Sequence, residues 1–573
     1  FGFPFFRGNQ STVHCCRVRV DGWHFFFTAS TKRICKMKFA RLTLLAATCV
    51  VSVNAGALAV SKAMIDEGVS ACNVVRDEHQ CLASKDESGD SCVWCQCQAV
   101  PPVCVTAEQA KQLPAGVFQC SSSVPGLFQF VPDRTHFLKE FDHGNSDICD
   151  ASSKSISGYM DIKGSKYDQN GEDKHLFFWM FEKRNQDENV SQELIPFVVW
   201  LTGGPGCSST LALLTENGPC SVNPDGKSTS VNPFSWTEAA HVLWLDQPAG
   251  VGFSYGAEND SGEEMVSEDA YYFLQAFFQT HPEYAKSPLY IIGESYAGHY
   301  VPAISHRIYY GNKNPAENTI NLNFAGLAIG NGLTNPEEQY KWYPEMVWNN
   351  SHNLKIVTED QYKAMLSAVP ACTKLIHQCN TGNSAINTFA CQSAFVLCNM
   401  GLTSPYQATG LNPYDIRKKC EHPPLCYDFS FVGEFLNLES TKKALGVDEN
   451  KSHNWQSCNY GINMMFHTDW MKDFSHYVAE LLNAGYPALI YAGDVDFICN
   501  YLGNQAWTLG LEWNHKEEFV AAEVHDWNDN RGLVRSAKNF TFLQVYDAGH
   551  MVPTDQPEAS LDMLKTFLSG GAF

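Results

Sequence analysis

The segment LYIIGESYAGHY (residues 289–300) places one serine between a short apolar run and a group of small residues. An apolar run of this length predicts a buried strand. Gly293 lies two residues before Ser295 and Ala297 two residues after it. A sharp turn from strand to helix needs small neighbours at these positions, and it would raise the serine hydroxyl above the edge of a sheet. Ser295 is therefore a candidate nucleophile, and the alternative is an ordinary serine in a Gly-rich turn.

Two later segments supply a candidate acid and a candidate base. The segment PALIYAGDVD, which ends at Asp496, and the segment FTFLQVYDAGH, which ends at His550, each read as a strand followed by a polar residue. The order Ser, Asp, His, with each residue just beyond a strand, is that of α/β-hydrolases. His550 can accept the proton of the Ser295 hydroxyl, and Asp496 can orient the imidazole. Asp494 stays a competing acid, because spacing alone does not separate it from Asp496.

A Gly-rich loop follows another apolar run. The segment FVVWL (197–201) predicts a strand, and it continues directly into TGGPGCSS (202–209). A loop of this kind can cradle phosphate, but no lysine follows, so the segment is not a P-loop. Glycines also let backbone N–H groups approach a developing oxyanion without obstruction by side chains. We expect the backbone N–H groups of Gly204 and Tyr296 to be the two oxyanion donors.

The charge balance and the N-terminal segment restrict the class of protein. The chain has 62 acidic and 40 basic residues and a formal net charge of −22, which argues against a nucleic-acid partner. Two basic residues and an apolar run predict a secretory signal peptide at 37–59, and we expect residues 1–36 to lie outside the natural product. An uncleaved membrane anchor is the alternative. We expect no membrane association after cleavage.

Cysteine usage agrees with an oxidising compartment. Eighteen cysteines follow residue 59, and seven of them fall in residues 60–125, which predicts a small disulfide-rich module. The segment CVWCQC, which begins at Cys92, also suggests zinc, but disulfides are the better interpretation in such a compartment. Because seven is odd, we expect Cys149 to complete the set. Residues 126–150 read as a linker.

Beyond these local patterns, the chain resembles the serine carboxypeptidase family from about residue 157 to the C-terminus. The cysteine-rich module and the leader lie outside the match. Many short motifs carry the resemblance, and they occur in the same order along the chain. They are WLTGGPGCSS (200–209), LDQP (245–248), GESYAGHY (293–300), IGNGLT (329–334), YDIRKKCE (414–421), DWMK (469–472), YAGDVDFICN (491–500) and GHMVP (549–553).

The resemblance implies a chain of the α/β class with an α/β-hydrolase fold and an inserted cap. The small disulfide-rich N-terminal module, predicted above from its cysteines, would precede this fold. The catalytic domain would comprise 151–334 and 471–573, and the cap 335–470. The triad implied by the family is the one derived above. The implied disulfides are Cys379–Cys391, Cys372–Cys398, Cys420–Cys426 and Cys207–Cys458, and Cys220 has no implied partner.

The resemblance also implies a set of substrate-binding residues. The C-terminal carboxylate of a peptide would meet Thr202, Gly203, Glu216 and Glu294. Leu333 and Trp470 would line the S1 side, Met551 the S1′ side, and Cys499 would be a free thiol close to the site. Ordinary core packing is the alternative for Leu333 and Trp470, and a buried structural cysteine is the alternative for Cys499. Thr202 stands where the family's peptidases usually carry Asn.

These residues together predict a serine carboxypeptidase that releases C-terminal, preferentially apolar, residues from peptides at acid pH through an acyl-enzyme. The alternatives are a serine-carboxypeptidase-like acyltransferase and a non-catalytic binding protein on the same fold. Peptide and protein C-termini are the expected partners, and no cofactor or metal is expected. The expected location is the secretory pathway, with a vacuole, a lysosome or the exterior as destination, and the oligomeric state stays open.

Overall fold

The computed structural model describes most of the chain after residue 147 and parts of the chain before it. The described residues are 14–20, 23–29, 72, 81, 84–85, 91–97, 100–112, 119–121, 148–162, 165, 167, 174–185, 191–316, 318–381, 384–448 and 450–573. The predicted signal peptide and residues 126–147 of the predicted linker lie outside them. The chain divides into two compact units, residues 1–128 and 129–573.

The described part of the first unit consists of two small antiparallel sheets. Strands β1 (His14–Val20) and β2 (Trp23–Ala29) form a hairpin. Strands β3 (Val93–Cys97), β4 (Val100–Val105) and β5 (Gln119–Ser121) form a sheet with β3 in the middle, and helix α1 spans Ala107–Gln112. Three disulfides cross-link this region, namely Cys72–Cys92, Cys81–Cys104 and Cys95–Cys120. Both Cys92 and Cys95 are therefore in disulfides, as the disulfide interpretation expects.

The second unit is built on one large mixed sheet in the order β17-β18-β19-β16-β13-β12-β8-β11-β7-β6. The six strands from β19 to β11 in this order run parallel, and the edge strands pair antiparallel. The strand bounds are β6 Ser155–Ile162, β7 Lys174–Phe181, β8 Phe197–Thr202, β11 His241–Leu245, β12 Leu289–Glu294, β13 Phe324–Gly330, β16 Ala488–Gly493, β17 His525–Trp527, β18 Gly532–Ala537 and β19 Phe540–Val545.

Both faces of this sheet are covered, because the central strands are apolar on both sides. Every residue of β12 and β16 is buried, as parallel strands between two helical layers require. The buried side chains form two large clusters, which include Leu201 and Ile291 in one and Trp200 and Ile292 in the other. Neighbouring residues of one strand thus enter opposite clusters. This arrangement confirms the predicted α/β-hydrolase fold.

The helices of the second unit fall into those that follow the central strands and those within residues 335–470. The first group comprises α2 Ser209–Thr215, α3 Glu263–Thr280, α4 Ala297–Lys313, α13 Ser475–Asn483, α14 Tyr501–Gly510, α15 Lys516–Ala521, α16 Val552–Asp555 and α17 Pro557–Ser569. The second comprises α5 Pro336–Gln339, α6 Tyr343–Trp348, α7 Glu359–Thr381, α8 Ser384–Cys398, α9 Ser404–Gln407, α10 Ser430–Leu436, α11 Glu439–Leu445 and α12 Tyr460–Met465.

Two short hairpins and five disulfides complete this unit. The hairpins are β9 (Cys220–Val222) with β10 (Thr229–Val231) and β14 (Leu411–Asn412) with β15 (Asp415–Lys419). The disulfides Cys372–Cys398, Cys379–Cys391, Cys420–Cys426 and Cys207–Cys458 form as the resemblance implies. Within the described residues no helix is both long and apolar enough to cross a membrane.

One expected cysteine assignment is wrong. Cys149 does not complete the cysteine-rich module but pairs with Cys220, the residue for which the resemblance implied no partner. Ile148, directly before Cys149, lies against the hairpin of β9 and β10, because the Thr229 hydroxyl donates to the Ile148 carbonyl at 2.7 Å. Asp150 then accepts a hydrogen bond from the Arg184 guanidinium at 2.5 Å. The last residues of the predicted linker are therefore already part of the hydrolase unit.

This pairing leads to a stability prediction. The Cys149–Cys220 bridge closes a loop with a sequence separation of 71 residues, whereas Cys420–Cys426 closes one of 6 residues. A longer closed loop restricts the unfolded chain more, so replacing Cys149 and Cys220 together by Ser should cost about 2 kcal/mol more unfolding free energy than the same change at Cys420 and Cys426. Denaturant unfolding of both double variants measures the difference. A larger loss for the short loop would contradict the prediction.

Candidate active site

Ser295 occupies the turn between β12 and α4 in a conformation that few non-glycine residues adopt. Its φ angle is 68°, in the left-handed region, which costs about 1 kcal/mol or more and persists only where the surroundings hold it. Its carbonyl accepts the N–H groups of Gly298 at 2.9 Å and Leu333 at 3.0 Å. A Cβ on Gly293 would lie 2.4 Å from the Leu201 carbonyl oxygen, so a side chain there would displace the turn. The serine itself is half-buried.

Asp496 and His550 lie close to each other in the loops that follow β16 and β19. The Nδ1 atom of His550 donates to the Asp496 Oδ2 atom at 2.8 Å, and both side chains are buried. The same carboxylate oxygen accepts the Asn331 side-chain amide at 2.9 Å and the Cys499 N–H at 3.2 Å. A carboxylate held by this many donors stays fixed. Because Nδ1 carries the proton that Asp496 accepts, Nε2 is left as the imidazole's base.

The competing acid, Asp494, makes different contacts. Its carboxylate accepts the Ser351 hydroxyl at 3.0 Å and the Asp547 backbone N–H at 2.8 Å, and it lies 3.5 Å from His352. Burial raises the pKa of Asp494, while the Ser351 hydrogen bond opposes that rise. The Asp494 side chain thus fixes the backbone at Asp547, in the loop before His550. Asp496, and not Asp494, is the acid that bonds to His550.

The Gly-rich loop after β8 packs directly against the serine turn. A Cβ on Gly203 would lie 2.3 Å from the Tyr296 backbone nitrogen and 2.8 Å from the Ser295 Cβ. Gly204 has a φ angle of 113°, which a residue with a side chain rarely adopts. The Cys207–Cys458 disulfide ties this loop to a segment just before α12. Glycine at these two positions is therefore required for the loop to approach the turn that carries Ser295.

Two buried glutamic acids form a hydrogen-bonded pair close to the triad residues. Glu294 ends β12, directly before Ser295, and Glu216 follows helix α2. Burial raises the pKa of Glu216 to about 7, and the electrostatic interaction with His550 opposes the rise. Burial, Glu216 and Asp496 all raise the pKa of Glu294. Among the described residues, each side chain keeps one buried oxygen, Oε2, without a hydrogen-bond partner.

The other substrate-binding candidates differ in how far they are buried. Leu333 and Cys499 are buried, whereas Trp470 and Met551 are partly exposed. The indole N–H of Trp470 donates to the Tyr340 hydroxyl at 3.2 Å. Cys499 is a free thiol, and its Sγ atom and ligand atoms of Asp496 and His550 all lie within 4.8 Å of one another. The Cys499 thiol therefore lies beside the Asp496–His550 pair.

Thr202, at the end of β8, has one hydrogen bond already in place. Its Oγ1 atom accepts the indole N–H of Trp200 at 3.0 Å, and its backbone N–H donates to the Ser209 hydroxyl at 3.0 Å. A hydroxyl group that accepts one bond still has its own proton to donate. Thr202 can therefore act as a donor although its side chain is shorter than the Asn usual in the family's peptidases.

Three residues with contacts to the site were not singled out from the sequence. Asn331 donates to Asp496 as described above. Tyr414 accepts the His550 backbone N–H at 2.8 Å, and its ring lies 5.0 Å from the imidazole. Asp469 accepts the hydroxyl of Tyr296 at 2.9 Å. All three lie in matched family motifs, and that position in a motif was the available signal, without a role attached to it.

Known proteins match this arrangement over most of the chain. A family model described as serine carboxypeptidase matches residues 147–570. Carboxypeptidase Y of Komagataella phaffii is 43% identical over 423 residues, 73% of this chain and 76% of the relative. Carboxypeptidase Y of Candida albicans is also 43% identical over 423 residues, 73% of each chain. The solved structure of Kex1Δp, a prohormone-processing carboxypeptidase from Saccharomyces cerevisiae, is similar with a TM-score of 0.65 and 28% identity over 74% of this chain and 93% of that one. The chain therefore belongs to the serine carboxypeptidase family and is a serine-type carboxypeptidase.

Proposed function

We propose that this chain releases C-terminal, preferentially apolar, residues from peptides at acid pH through an acyl-enzyme on Ser295. The observation that carries the proposal is the buried Glu216–Glu294 pair directly beside the nucleophile. Below both raised pKa values the two carboxyl groups hold two protons, so one proton can bridge the pair and the other can be donated to a third carboxylate. A free peptide C-terminus is such a carboxylate, so the pair distinguishes an exopeptidase site from a general hydrolase site.

The contact between His550 and Asp496 supports an acyl-enzyme route. The Ser295 oxygen attacks the last peptide carbonyl while His550 Nε2 takes the serine proton. Asp496 stabilises the imidazolium through its 2.8 Å contact with Nδ1. His550 then gives the proton to the leaving amine, and the C–N bond breaks. A water molecule, deprotonated by His550, hydrolyses the ester and restores Ser295.

The oxyanion and the substrate carboxylate would be held on two sides of Ser295. The backbone N–H groups of Gly204 and Tyr296 would stabilise the negative oxygen of the tetrahedral intermediates. The C-terminal carboxylate would accept hydrogen bonds from the proton of the glutamic acid pair, the Thr202 hydroxyl and the Gly203 N–H. The Gly203 N–H is accessible because glycine has no side chain to obstruct it.

The apolar preference rests on the side chains next to the turn. Leu333 lies against the Ser295 carbonyl through its N–H, and Cys499 is within 4.8 Å of the catalytic base. Trp470 adds a partly exposed indole, and Met551 follows His550. Surfaces of this composition bind apolar side chains better than charged ones, since a charge would lose its water there.

We assign residues 335–470 to a cap on the catalytic domain, formed by 151–334 and 471–573. This range contains the helices α5 to α12 and both partners of three disulfides, which is consistent with an insertion. The secretory pathway, with a vacuole, a lysosome or the exterior as destination, suits the many disulfides and an acid working range.

The test is release of the C-terminal residue from blocked dipeptides between pH 4 and pH 8, with and without a serine-directed inhibitor. Inhibitor-sensitive release that is fastest at acid pH and for apolar residues supports the proposal. An alcohol acceptor in a parallel reaction tests acyl transfer, which is the alternative function. If more ester than free acid forms from dilute peptide in the presence of the alcohol, the protein would instead be an acyltransferase.

A second measurement concerns the free thiol. Burial and the charge of Asp496 raise the pKa of Cys499, so the group is a neutral thiol, and it loses its proton when a mercurial binds the sulfur. A bulky mercurial on Sγ would occupy space beside His550, and we expect nearly complete loss of peptidase activity. Cys499→Ser should be active and insensitive to the mercurial. Equal sensitivity of this variant and the wild type would show that another thiol is responsible.

A further inference from the structure

The residue after the nucleophile is anchored by its side chain as well as by its backbone. Tyr296 is buried, and its hydroxyl donates to the Asp469 Oδ2 atom at 2.9 Å. Burial raises the pKa of Tyr296 far above its usual value, and the charge of Asp469 raises it further. The hydroxyl therefore keeps its proton and is the donor of this bond. Tyr296 is also the residue whose backbone N–H faces the developing oxyanion in the proposed function.

Asp469 is itself held in place by several groups. The Lys472 Nζ atom lies 3.1 Å from its Oδ1 atom, and the Glu263 backbone N–H donates to the same oxygen at 3.4 Å. A Cβ on Gly262 would lie 2.8 Å from this oxygen, so the start of helix α3 approaches it closely. The carboxylate is buried. The acceptor for the Tyr296 hydroxyl is thus fixed from two separate parts of the chain.

The Tyr296 ring is confined between this carboxylate and its aromatic neighbours. It stacks on His299 with ring centroids 4.5 Å apart, and it lies 5.4 Å from Trp470, the residue after Asp469. His299 is in turn fixed by a 2.5 Å contact between Nδ1 and the Leu333 carbonyl. With the ring confined and the hydroxyl bonded, few orientations remain for the Tyr296 backbone.

This restraint matters because the adjoining residue is strained. Ser295 adopts a φ angle of 68°, and a turn of this kind relaxes unless its neighbours over-determine it. Relaxation would rotate the peptide N–H of Tyr296 away from the oxyanion. Donors that are already aligned stabilise a transition state without reorganisation, so even a small rotation lowers the rate.

We propose that Asp469 is a positioning residue, which holds the Tyr296 hydroxyl and thereby aligns the Tyr296 N–H for oxyanion stabilisation. The inference rests on the proposed function and adds to it a residue that touches neither substrate nor reacting atoms. Its effect should appear in the transition state and not in the binding of substrate, because the carboxylate of the substrate meets other groups.

The decisive variant is Tyr296→Phe, which keeps the ring and removes only the hydroxyl. We expect kcat for a blocked dipeptide to fall about tenfold while KM changes by less than about twofold. The affinity for a peptidyl aldehyde, which forms a tetrahedral adduct with Ser295, should fall by the same factor as kcat. The affinity for the product peptide should stay unchanged.

Two further variants separate positioning from general stability. Tyr284→Phe removes a matched buried hydroxyl, which donates to Glu182 at 2.5 Å near the start of β8, at the other end of that strand from the site. It should lower the melting temperature without changing kcat. Asp469→Asn retains an oxygen acceptor but not its charge, and it should give a kcat between those of the wild type and Tyr296→Phe. It also supplies the readout if Tyr296→Phe does not fold.

The outcomes separate this inference from the proposed function. If the wild type shows no Ser295-dependent release of C-terminal residues, the proposed function fails and the inference fails with it. If the wild type is active but Tyr296→Phe and Asp469→Asn keep its kcat and aldehyde affinity within about twofold, only the positioning role is wrong. A parallel loss of product affinity, aldehyde affinity and melting temperature would indicate a purely structural bond.

Discussion

Ser295→Ala should reduce kcat/KM for a blocked dipeptide by about four to six orders of magnitude, while product peptides still bind with unchanged affinity. The loss is large because every covalent step of the proposed reaction passes through the serine oxygen, and no other group can take its place. The residual rate would come from the oxyanion donors and from substrate binding alone. Steady-state kinetics on purified protein, with product affinity from calorimetry, measure both quantities.

A matched serine tests whether this loss is specific. Ser305 lies ten residues further along, in helix α4, where its buried hydroxyl has no hydrogen-bond partner among the described residues. Ser305→Ala should therefore leave kcat/KM unchanged. A residual activity of Ser295→Ala within about tenfold of the wild type would rule out the triad assignment.

The sheet and the main site residues could be predicted because their signals are local. A parallel strand that is covered on both faces is mostly apolar, so β8, β12 and β16 each begin in the sequence as a continuous apolar run. Such strands end at one edge of the sheet, so the polar residue after each run points to the site. Ser295 is an example, because it directly follows β12.

What the sequence left open depended on contacts between distant segments. Asp494 and Asp496 follow the same strand, and only the fold shows that Ser351 engages one and His550 the other. Cys149 was assigned to the wrong unit, because spacing does not reveal that residue 148 lies against a hairpin 81 positions later. The bond from Tyr296 to Asp469 spans 173 positions and has no local sequence pattern.

A second large effect is expected in how substrate binding depends on pH. Burial raises the pKa of Glu216 to about 7, and burial together with the neighbouring carboxyl groups raises the pKa of Glu294. Below this range the pair holds a proton that it can donate to the substrate carboxylate. As pH rises through about 7 that proton leaves, and negative charge then faces the carboxylate. The favourable contact is thus present at acid pH and lost towards neutral and alkaline pH.

The magnitude follows from the strength of the lost bond. A hydrogen bond to a charged acceptor contributes about 1.5–3 kcal/mol, which corresponds to roughly ten- to a hundredfold in affinity. We therefore expect KM for a peptide with a free C-terminus to rise by about this factor between pH 5 and pH 8. KM for the matching C-terminal amide should change much less, because an uncharged terminus needs no such proton.

Glu294→Gln isolates this contact, because a carboxamide donates a hydrogen bond at every pH. Its KM profile for the acid substrate should be flat between pH 4 and pH 8, although Glu216 still titrates beside it. Asp260→Asn is the control, since burial raises the pKa of that carboxyl to about 7 as well but its partner is Lys174, at 2.6 Å. It should keep the steep profile of the wild type. Parallel profiles for the acid and the amide in the wild type would contradict carboxylate recognition by the pair, because a proton that serves the C-terminus must matter only where the C-terminus is charged.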